Sequence, residues 1–275
     1  MSYRKKHIKS KIHKITLKKS IFKKPIFWIF LLVLIIFFTA LYFFLFFSGF
    51  QVQNIIISGN ETIQSKDIEN LVSNNVNKKI ITIGNWSITS ESIFLTNPPE
   101  LQKIILNSFP IIETATIKRR LPQSVSLKIE ERKPFAIFCQ PDQNGKCFFI
   151  DKNGVIFEPL QNLPQDMPVL EQSIDSKEAF VGESVIGKDI MNVILKIEKN
   201  LKDNFQINVK GAFLSNPLRL DVKTNENWQI YFDLNSDTDL QIIKLNSLLK
   251  DEISKTSRAK LQYIDLRFKD RAYYK

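Results

Sequence analysis

The longest apolar segment of the chain lies near its N-terminus and contains no charged residue. It runs from Ile26 to Phe47 and reads IFWIFLLVLIIFFTALYFFLFF, which is 22 residues. As a helix it would span about 33 Å, enough to cross the hydrocarbon core of a bilayer. A secretory signal has a shorter apolar core and a small-residue cleavage site, whereas this run ends in FFSGF. The pattern therefore predicts an uncleaved membrane anchor.

Directly after the anchor, the apolar positions change to the short periods of strands and helices. The stretch FQVQNIIIS (50–58) followed by Gly59-Asn60 predicts a strand and a turn. Ser65 is placed to cap a short helix. Residues 74–92 show no clear period, and we interpret them as an insertion or irregular loop with room for one short strand.

A second helix is predicted to begin at Asn97-Pro98-Pro99-Glu100, with Asn97 as the cap and Glu100 at the capping-box position. It ends at Phe109-Pro110. A strand follows over 111–120, and Val125, Leu127 and Ile129 then alternate with polar residues as in a half-buried strand. The order strand, helix, helix, strand, strand predicts a small α+β layer with its helices on one sheet face.

From residue 132 onward the pattern is mainly that of strands with flanking helices. Hairpin strands are predicted around 134–139 and 147–150, and residues 158–186 are interpreted as a Pro-rich loop. Further elements are a helix near 190–201, strands near 205–214, 218–223 and 228–234, and a helix near 237–250. The last segment, 261–274, predicts one long strand with Ile264, Leu266 and Phe268 on one side.

The basic residues are concentrated in front of the anchor. The formal net charge is +11, and residues 1–24 hold ten basic residues and no acid, which leaves +1 for the other 251 residues. The positive-inside rule places this tail in the cytoplasm and the rest of the chain outside it. We favour a role in topology over a dedicated partner site or a nucleic-acid arm. The nearly neutral remainder argues against nucleic-acid binding there.

The chain has two cysteines, Cys139 and Cys147, and Asn144-Gly145 between them is a hairpin turn signal. The two residues are a candidate disulfide in an oxidising compartment. Because the strand register cannot be fixed from sequence, two buried thiols remain the alternative.

Catalytic chemistry finds little support in the sequence. The only histidines, His7 and His13, lie in the basic tail, so the outer part offers no imidazole base or metal ligand. Glu130 and Glu131 are neighbours that would point to opposite strand faces. Asp233 and Asp265 lie on separate predicted strands and could be near each other. We predict no catalytic residue, no metal site and no cofactor.

Several stretches in this order behind an anchor resemble the FtsQ/DivIB family of bacterial cell-division proteins, and together they cover about Pro25 to Lys275. They are Phe50–Asn60, Phe109–Pro122, VSLKIEERKP (125–134), Cys147–Phe157 with its Asp-Lys-Asn-Gly-Val turn, and Tyr263–Phe268 with Arg271–Tyr274. The stretch near 77–92 is longer than is usual between the two helices of the family's first outer domain, and the cysteine pair is not a general family feature.

The resemblance implies an α+β fold with a single N-terminal transmembrane helix, a POTRA domain (βααββ) and a mixed β-sheet domain with flanking helices. The expected domains are a basic cytoplasmic tail (1–24), a transmembrane helix (25–48), a POTRA domain (50–131) and the β domain (132–275). The expected location is the cell membrane as a single-pass type II protein at the division septum.

The resemblance also implies a non-enzymatic scaffold of the divisome that controls septum formation. Its expected partners are membrane proteins of the FtsB/DivIC and FtsL type, with no nucleic acid and no small-molecule substrate. An exposed edge strand suits such binding, because a partner strand can complete its ladder. The candidate contact residues are Leu266, Phe268, Arg271, Tyr273 and Tyr274, although Leu266 and Phe268 could instead face the core. Lys118, Arg119 and Arg120 are candidates for a second docking surface or plain solvated charges.

Two other classes remain open. A POTRA-containing envelope chaperone or secretion component would usually carry several POTRA repeats or a membrane barrel, and this sequence shows neither. A membrane-anchored wall enzyme would have to rely on carboxylates alone, as some glycosidases do.

Overall fold

The computed structural model of this chain describes residues 24–140, 146–164, 166–172 and 178–275. The basic tail up to residue 23 and the Asn144-Gly145 turn lie outside them. The fold is α+β, with one N-terminal apolar helix and large β-sheets. It divides into two compact units, of which the first comprises Met1–Gln53, Val76–Thr96 and Leu121–Gln123. The second comprises Asn54–Asn75, Asn97–Arg120 and Ser124–Lys275.

The first unit contains the apolar helix α1, Pro25–Phe46, which is long and apolar enough to span a membrane. Pro25 stands at its first position, where a missing N–H costs no helical hydrogen bond. The same unit contains a hairpin of β2, Lys78–Ile83, and β3, Trp86–Ser90. The expectation of an irregular loop with room for one strand was therefore wrong for 74–92, since residues 74–76 are helical and two paired strands follow. The Gly84-Asn85 pair between two β-rich runs is a hairpin signal that the sequence reading missed.

The second unit begins with a three-stranded sheet in the order β1-β5-β4. Its strands are β1 Asn54–Ser58, β4 Ile112–Arg120 and β5 Ser124–Glu131, and its helices are α2 Ser65–Val76 and α3 Pro98–Ser108. Strand β1 runs parallel to β5, and β4 runs antiparallel to it. The predicted strand, helix, helix, strand, strand order is thus present, with the hairpin inserted between the helices. Helix α3 begins where expected, but the Asn97 side chain makes no capping hydrogen bond.

The larger sheet has nine strands in the order β14-β13-β12-β11-β10-β9-β6-β7-β8. The strands are β6 Ala136–Cys139, β7 Cys147–Ile150, β8 Ile156–Leu160, β9 Val169–Gln172, β10 Val209–Asn216, β11 Arg219–Thr224, β12 Gln229–Asp233, β13 Tyr263–Asp265 and β14 Tyr273–Tyr274. Strand β9 lies inside the stretch expected to be a Pro-rich loop, and it pairs in parallel with both β6 and β10.

Two helices cover one face of this sheet. They are α4, Lys188–Phe205, and α5, Thr238–Ser247, which continues as a π-turn to Glu252. Their inner residues pack with alternate strand residues into one core, in which Trp228 and Phe232 are among the largest fully buried side chains. The polar residues that alternate with these buried residues along β11 and β12 lie on the opposite face of the sheet.

The end of the chain departs from the prediction of one long strand over 261–274. Strand β13 stops at Asp265, and the chain turns and returns antiparallel as β14. Asp265 stabilises the turn because its carboxylate accepts hydrogen bonds from the Arg267 backbone N–H and guanidinium. The Leu266 N–H still donates to the Tyr231 carbonyl oxygen of β12. The chain therefore leaves the sheet immediately after this hydrogen bond.

Candidate functional site: the C-terminal edge of the large sheet

Strand β14 forms one edge of the nine-stranded sheet and pairs with β13 alone. Tyr263 and Lys275 exchange backbone hydrogen bonds in both directions. In an antiparallel ladder, hydrogen-bonded and non-bonded residue pairs alternate. The backbone N–H and C=O of Tyr274, opposite Ile264, therefore point away from β13. This edge presents a donor and an acceptor to an incoming strand.

The other edge of the sheet is blocked. Strand β8 contains Pro159, which has no N–H to donate. Ile156 of the same strand donates its N–H to the Glu183 carbonyl oxygen and accepts a hydrogen bond from Gly182 N–H. The segment that contains Gly182 and Glu183 thus occupies part of the β8 edge. Strand addition is consequently favoured at β14.

The turn between β13 and β14 is held from two sides. The Lys244 ammonium group of α5 donates to the Leu266 carbonyl oxygen at 2.9 Å and to the Phe268 carbonyl oxygen at 2.6 Å. Arg267 binds both carboxylate oxygens of Asp265, at 2.9 and 2.6 Å. Such charge-assisted and bidentate bonds fix geometry as well as adding stability. The edge is therefore preorganised.

The structure separates the five predicted contact residues. Leu266 is fully buried in the core, so its side chain is not available to a partner, and the expectation for that residue was wrong. Phe268 and Tyr273 are 46% exposed, and their rings contact edge to face at 4.9 Å. Arg271 donates to the Tyr273 hydroxyl at 3.4 Å. These last three residues form one small exposed cluster.

Tyr274 lies on the other sheet face from Tyr273, as neighbours in a strand must. Its side chain is 47% exposed, and its hydroxyl donates to Glu252 at 3.4 Å. A strand added at β14 would therefore meet aromatic side chains on both faces of the sheet. Main-chain groups and flanking aromatic side chains are the features that strand addition uses.

An adjoining row of aromatic and charged side chains was missed at the sequence level. The Tyr231 and Tyr263 rings stack at 5.6 Å, and the guanidinium carbons of Arg219 and Arg267 lie 4.6 and 5.6 Å from the Tyr231 ring centroid. Arg219 also binds Asp221 at 2.6 Å. The alternation in β11 and β12 signalled the shared face, but the register between strands was needed to bring the residues together.

The charge state of this row is fixed by its pairing. Burial alone would raise the pKa of Asp265, but hydrogen bonds and the positive charge of Arg267 outweigh it and lower the pKa. The Asp265 hydrogen bond in turn raises the pKa of Arg267, against a smaller effect of burial. The pair stays ionised at neutral pH and holds the start of the turn.

The carboxylates considered for catalysis have structural contacts. Asp233 accepts hydrogen bonds from the Asn235 N–H and the Ser236 hydroxyl in a tight turn. Glu131 accepts from the backbone N–H groups of Glu61, Thr62 and Ile63, at 2.9 to 3.1 Å. Within the described ranges, no group of three or more His, Cys, Asp or Glu residues is arranged to hold a metal ion.

Cys139 and Cys147 are direct register partners of β6 and β7, and a disulfide joins them. Lys118, Arg119 and Arg120 are exposed at the end of β4, an edge of the small sheet. A docking role for these three residues stays a prediction.

Comparison with known proteins finds similarity to one family of cell-division proteins. The family model described as "Cell division protein FtsQ/DivIB, C-terminal" matches residues 141–267. The match ends before four of the predicted contact residues, Phe268, Arg271, Tyr273 and Tyr274.

Relatives named as cell-division proteins agree with this family model. The cell division protein DivIB of Clostridium tetani is 28% identical over 200 residues, which cover 70% of this chain and 72% of that protein. The cell division protein FtsQ of Geotalea daltonii is 26% identical over 125 residues, 45% of this chain and 38% of that protein. The FtsQ of Rickettsia bellii is 30% identical over 106 residues, 38% of this chain and 33% of that protein. Together with the one helix of the described residues that is long and apolar enough to span a membrane, and with the α+β sheets, these similarities support the FtsQ/DivIB family of cell-division proteins for this chain.

Proposed function

We propose that this chain is a non-enzymatic scaffold of the divisome that binds partner proteins by strand addition at β14. The observation that carries the proposal is the contrast between the two sheet edges. Tyr274 offers an outward N–H and C=O, whereas β8 contains a proline and is partly paired with residues 182–183. A partner strand would extend the sheet here and gain main-chain hydrogen bonds.

The partners we propose are small membrane proteins of the FtsB/DivIC and FtsL type. The support is the similarity to the FtsQ/DivIB family together with the preorganised edge, since rigid binding sites lose little entropy on association. Phe268, Arg271 and Tyr273 would contact side chains on one face of the added strand, and Tyr274 would contact those on the other. Tyrosine and arginine, which occur at this edge, are among the residue types that contribute most to binding energy in protein interfaces.

The main-chain part of this contact can be tested with a proline substitution. Tyr274→Pro removes the outward N–H and leaves the Tyr263–Lys275 hydrogen bonds in place, because those belong to other residues. Tyr274→Ala is the matched control, since it removes the same side chain and keeps the N–H. We expect Tyr274→Pro to lose co-purification with the FtsB/DivIC-type partner and Tyr274→Ala to weaken it less. Equal retention by the two variants would exclude strand addition at this edge.

The role in division can be tested by imaging. The proposed location is the division septum, with the basic tail in the cytoplasm and the sheets outside. A fluorescent protein fused to the N-terminus and expressed at the native level should form a band at the constriction site. A uniform membrane signal throughout the division cycle would contradict the proposed location.

A further inference from the structure

The inserted hairpin has one apolar and one polar face. The register pairs Ile81 with Ile88 and Ile83 with Trp86, and residues two apart on a strand share a face. All four apolar side chains therefore point to the same side, which we call the apolar hairpin face. The other side carries Thr82 opposite Ser87 and Lys79 opposite Thr89.

The apolar hairpin face is uncovered. Ile81 and Ile88 are 49% and 48% exposed, Ile83 is 73% exposed and Trp86 is 85% exposed. By contrast, Trp228 in the second unit is fully buried. A two-stranded hairpin is marginally stable alone in water and gains stability by burying an apolar face. Four such residues on one side of one hairpin mark a binding surface.

The base of the hairpin is tied to the end of α1. The Ser90 hydroxyl donates to the Leu45 carbonyl oxygen at 2.5 Å, and the Ser92 hydroxyl donates to the Phe44 carbonyl oxygen at 2.8 Å. Gln51 adds a hydrogen bond to the Leu45 carbonyl oxygen at 2.8 Å. The last four carbonyls of a helix have no partner within the helix. These side chains supply partners where α1 ends.

Aromatic side chains reinforce this junction. The Phe94 ring, four residues after β3, contacts the Phe44 ring at 5.3 Å and the Phe50 ring at 5.2 Å. Phe44 and Phe50 stack on each other at 5.8 Å. The hairpin is therefore fixed to the point at which a membrane-spanning helix leaves the hydrocarbon core, and it pairs carbonyl groups of the last turn there.

From this position we propose that the apolar hairpin face inserts into the interface of the bilayer leaflet from which α1 emerges. An exposed tryptophan at the level of the lipid headgroups is typical of membrane proteins. An element with one apolar and one polar face lies in that interface with its apolar side down. The hairpin thus gives the first unit a second attachment to the lipid. The inference rests on the membrane span of α1 and is independent of the proposed partners and septal role.

Fluorescence of Trp86 tests the proposal in the full chain reconstituted into phosphatidylcholine vesicles. The Trp28→Phe variant removes the tryptophan inside α1, and subtraction of a Trp28→Phe/Trp86→Phe variant leaves the Trp86 signal. We expect this signal to fall about twofold when the acyl chains are brominated, because an interfacial indole lies within roughly 10 Å of them. Iodide in the water should quench it little.

Two charge variants supply a matched comparison. Ile83→Glu places a carboxylate on the apolar hairpin face and should remove the quenching by brominated lipid. Thr82→Glu places the same charge on the polar face of the same strand and should leave the quenching unchanged. The emission of the buried Trp228 reports in each variant whether the second unit remains folded.

Two results would overturn the proposal. Strong quenching by iodide with no effect of brominated lipid would show that the hairpin stays in water. Protection from both quenchers would show that protein, such as a second copy of the chain, covers the apolar hairpin face.

Discussion

Glu131 shows how one side chain can fix a loop far away in sequence. Its carboxylate accepts hydrogen bonds from three consecutive backbone N–H groups, those of Glu61, Thr62 and Ile63. The loop begins at Gly59, whose φ of +87° favours glycine, and a Cβ there would lie 2.1 Å from the Ile129 carbonyl oxygen. Burial raises the pKa of Glu131, but the three N–H groups outweigh it and lower the pKa. Glu131 is thus a structural residue of the β1–α2 turn.

Replacing Glu131 by glutamine should destabilise the second unit. One carbonyl oxygen cannot accept all of the hydrogen bonds of a carboxylate, so N–H groups near the surface would lose their partner. We expect the free energy of unfolding to fall by about 1–2 kcal/mol, measured by urea denaturation followed by Trp228 emission. Glu130→Gln, at the exposed neighbouring position, is the control and should change it by less than about 0.5 kcal/mol. Equal effects of the two variants would contradict the role of Glu131.

The effect of Glu131 should also depend on pH. Its folded-state pKa lies below the ordinary value of 4.5, so the ionised side chain stabilises the fold above that pH. This contribution should be lost as the pH falls from 4.5 through the lower folded-state pKa. Urea denaturation at a series of pH values should show the difference between wild type and Glu131→Gln shrinking over that window. If the difference in the free energy of unfolding between the two proteins stayed constant with pH, the ionised Glu131 carboxylate would not be the stabilising group.

At the scale of single elements, short strands depend on their neighbours. Strands β6 and β7 have four residues each, and the Cys139–Cys147 disulfide joins them across the ladder. Strand β9 also has four residues and lies in parallel between β6 and β10. Parallel strands cannot be joined by a tight turn, so β9 is held by its neighbours and by the core residue Leu170.

Removing the disulfide should therefore weaken the second unit. The crosslink closes a loop with a sequence separation of eight residues. The chain-entropy model gives about 2–3 kcal/mol for a loop of this length. We expect a Cys139→Ala/Cys147→Ala variant to unfold at lower urea by a corresponding amount.

A reducing agent provides the control for this prediction. It should shift the wild-type unfolding midpoint to that of the double alanine variant and leave the variant unchanged. An unchanged wild-type midpoint after complete reduction would contradict a stabilising crosslink.

At the scale of the whole molecule, charge and hydrophobicity are strongly segregated along the chain. Ten basic residues and no acidic residue precede α1. The net charge of the whole chain is +11, so the remaining 251 residues carry a net charge of about +1. The charge asymmetry favours retention of the tail in the cytoplasm. The sheets would then lie on the other side of the membrane.

Fusions to alkaline phosphatase, which is active only outside the cytoplasm, test this orientation. A fusion after Lys275 should be active, and a fusion to the N-terminus of the whole chain should be inactive. The reverse result would show that the tail is translocated and would contradict the proposed orientation.

The local sequence pattern determined the membrane helix, most of the other helices and strands, and the family resemblance. An unbroken apolar run of 22 residues has few alternatives to a membrane span, and α4 and β5 show clear periods of 3.6 and 2. These features are encoded by neighbours in sequence. The similarity to the FtsQ/DivIB family model and to DivIB and FtsQ proteins supports that resemblance.

Tertiary structure alone decided which edge of the sheet is free and which residues line it. Leu266 and Phe268 have the same parity in an extended strand, yet the turn after Asp265 buries the first and exposes the second. Strand β9 and the apolar hairpin face likewise depend on pairing with segments distant in sequence or on the register across a turn. Periodicity reports that one side of a segment is buried, but pairing across space determines what lies beside it.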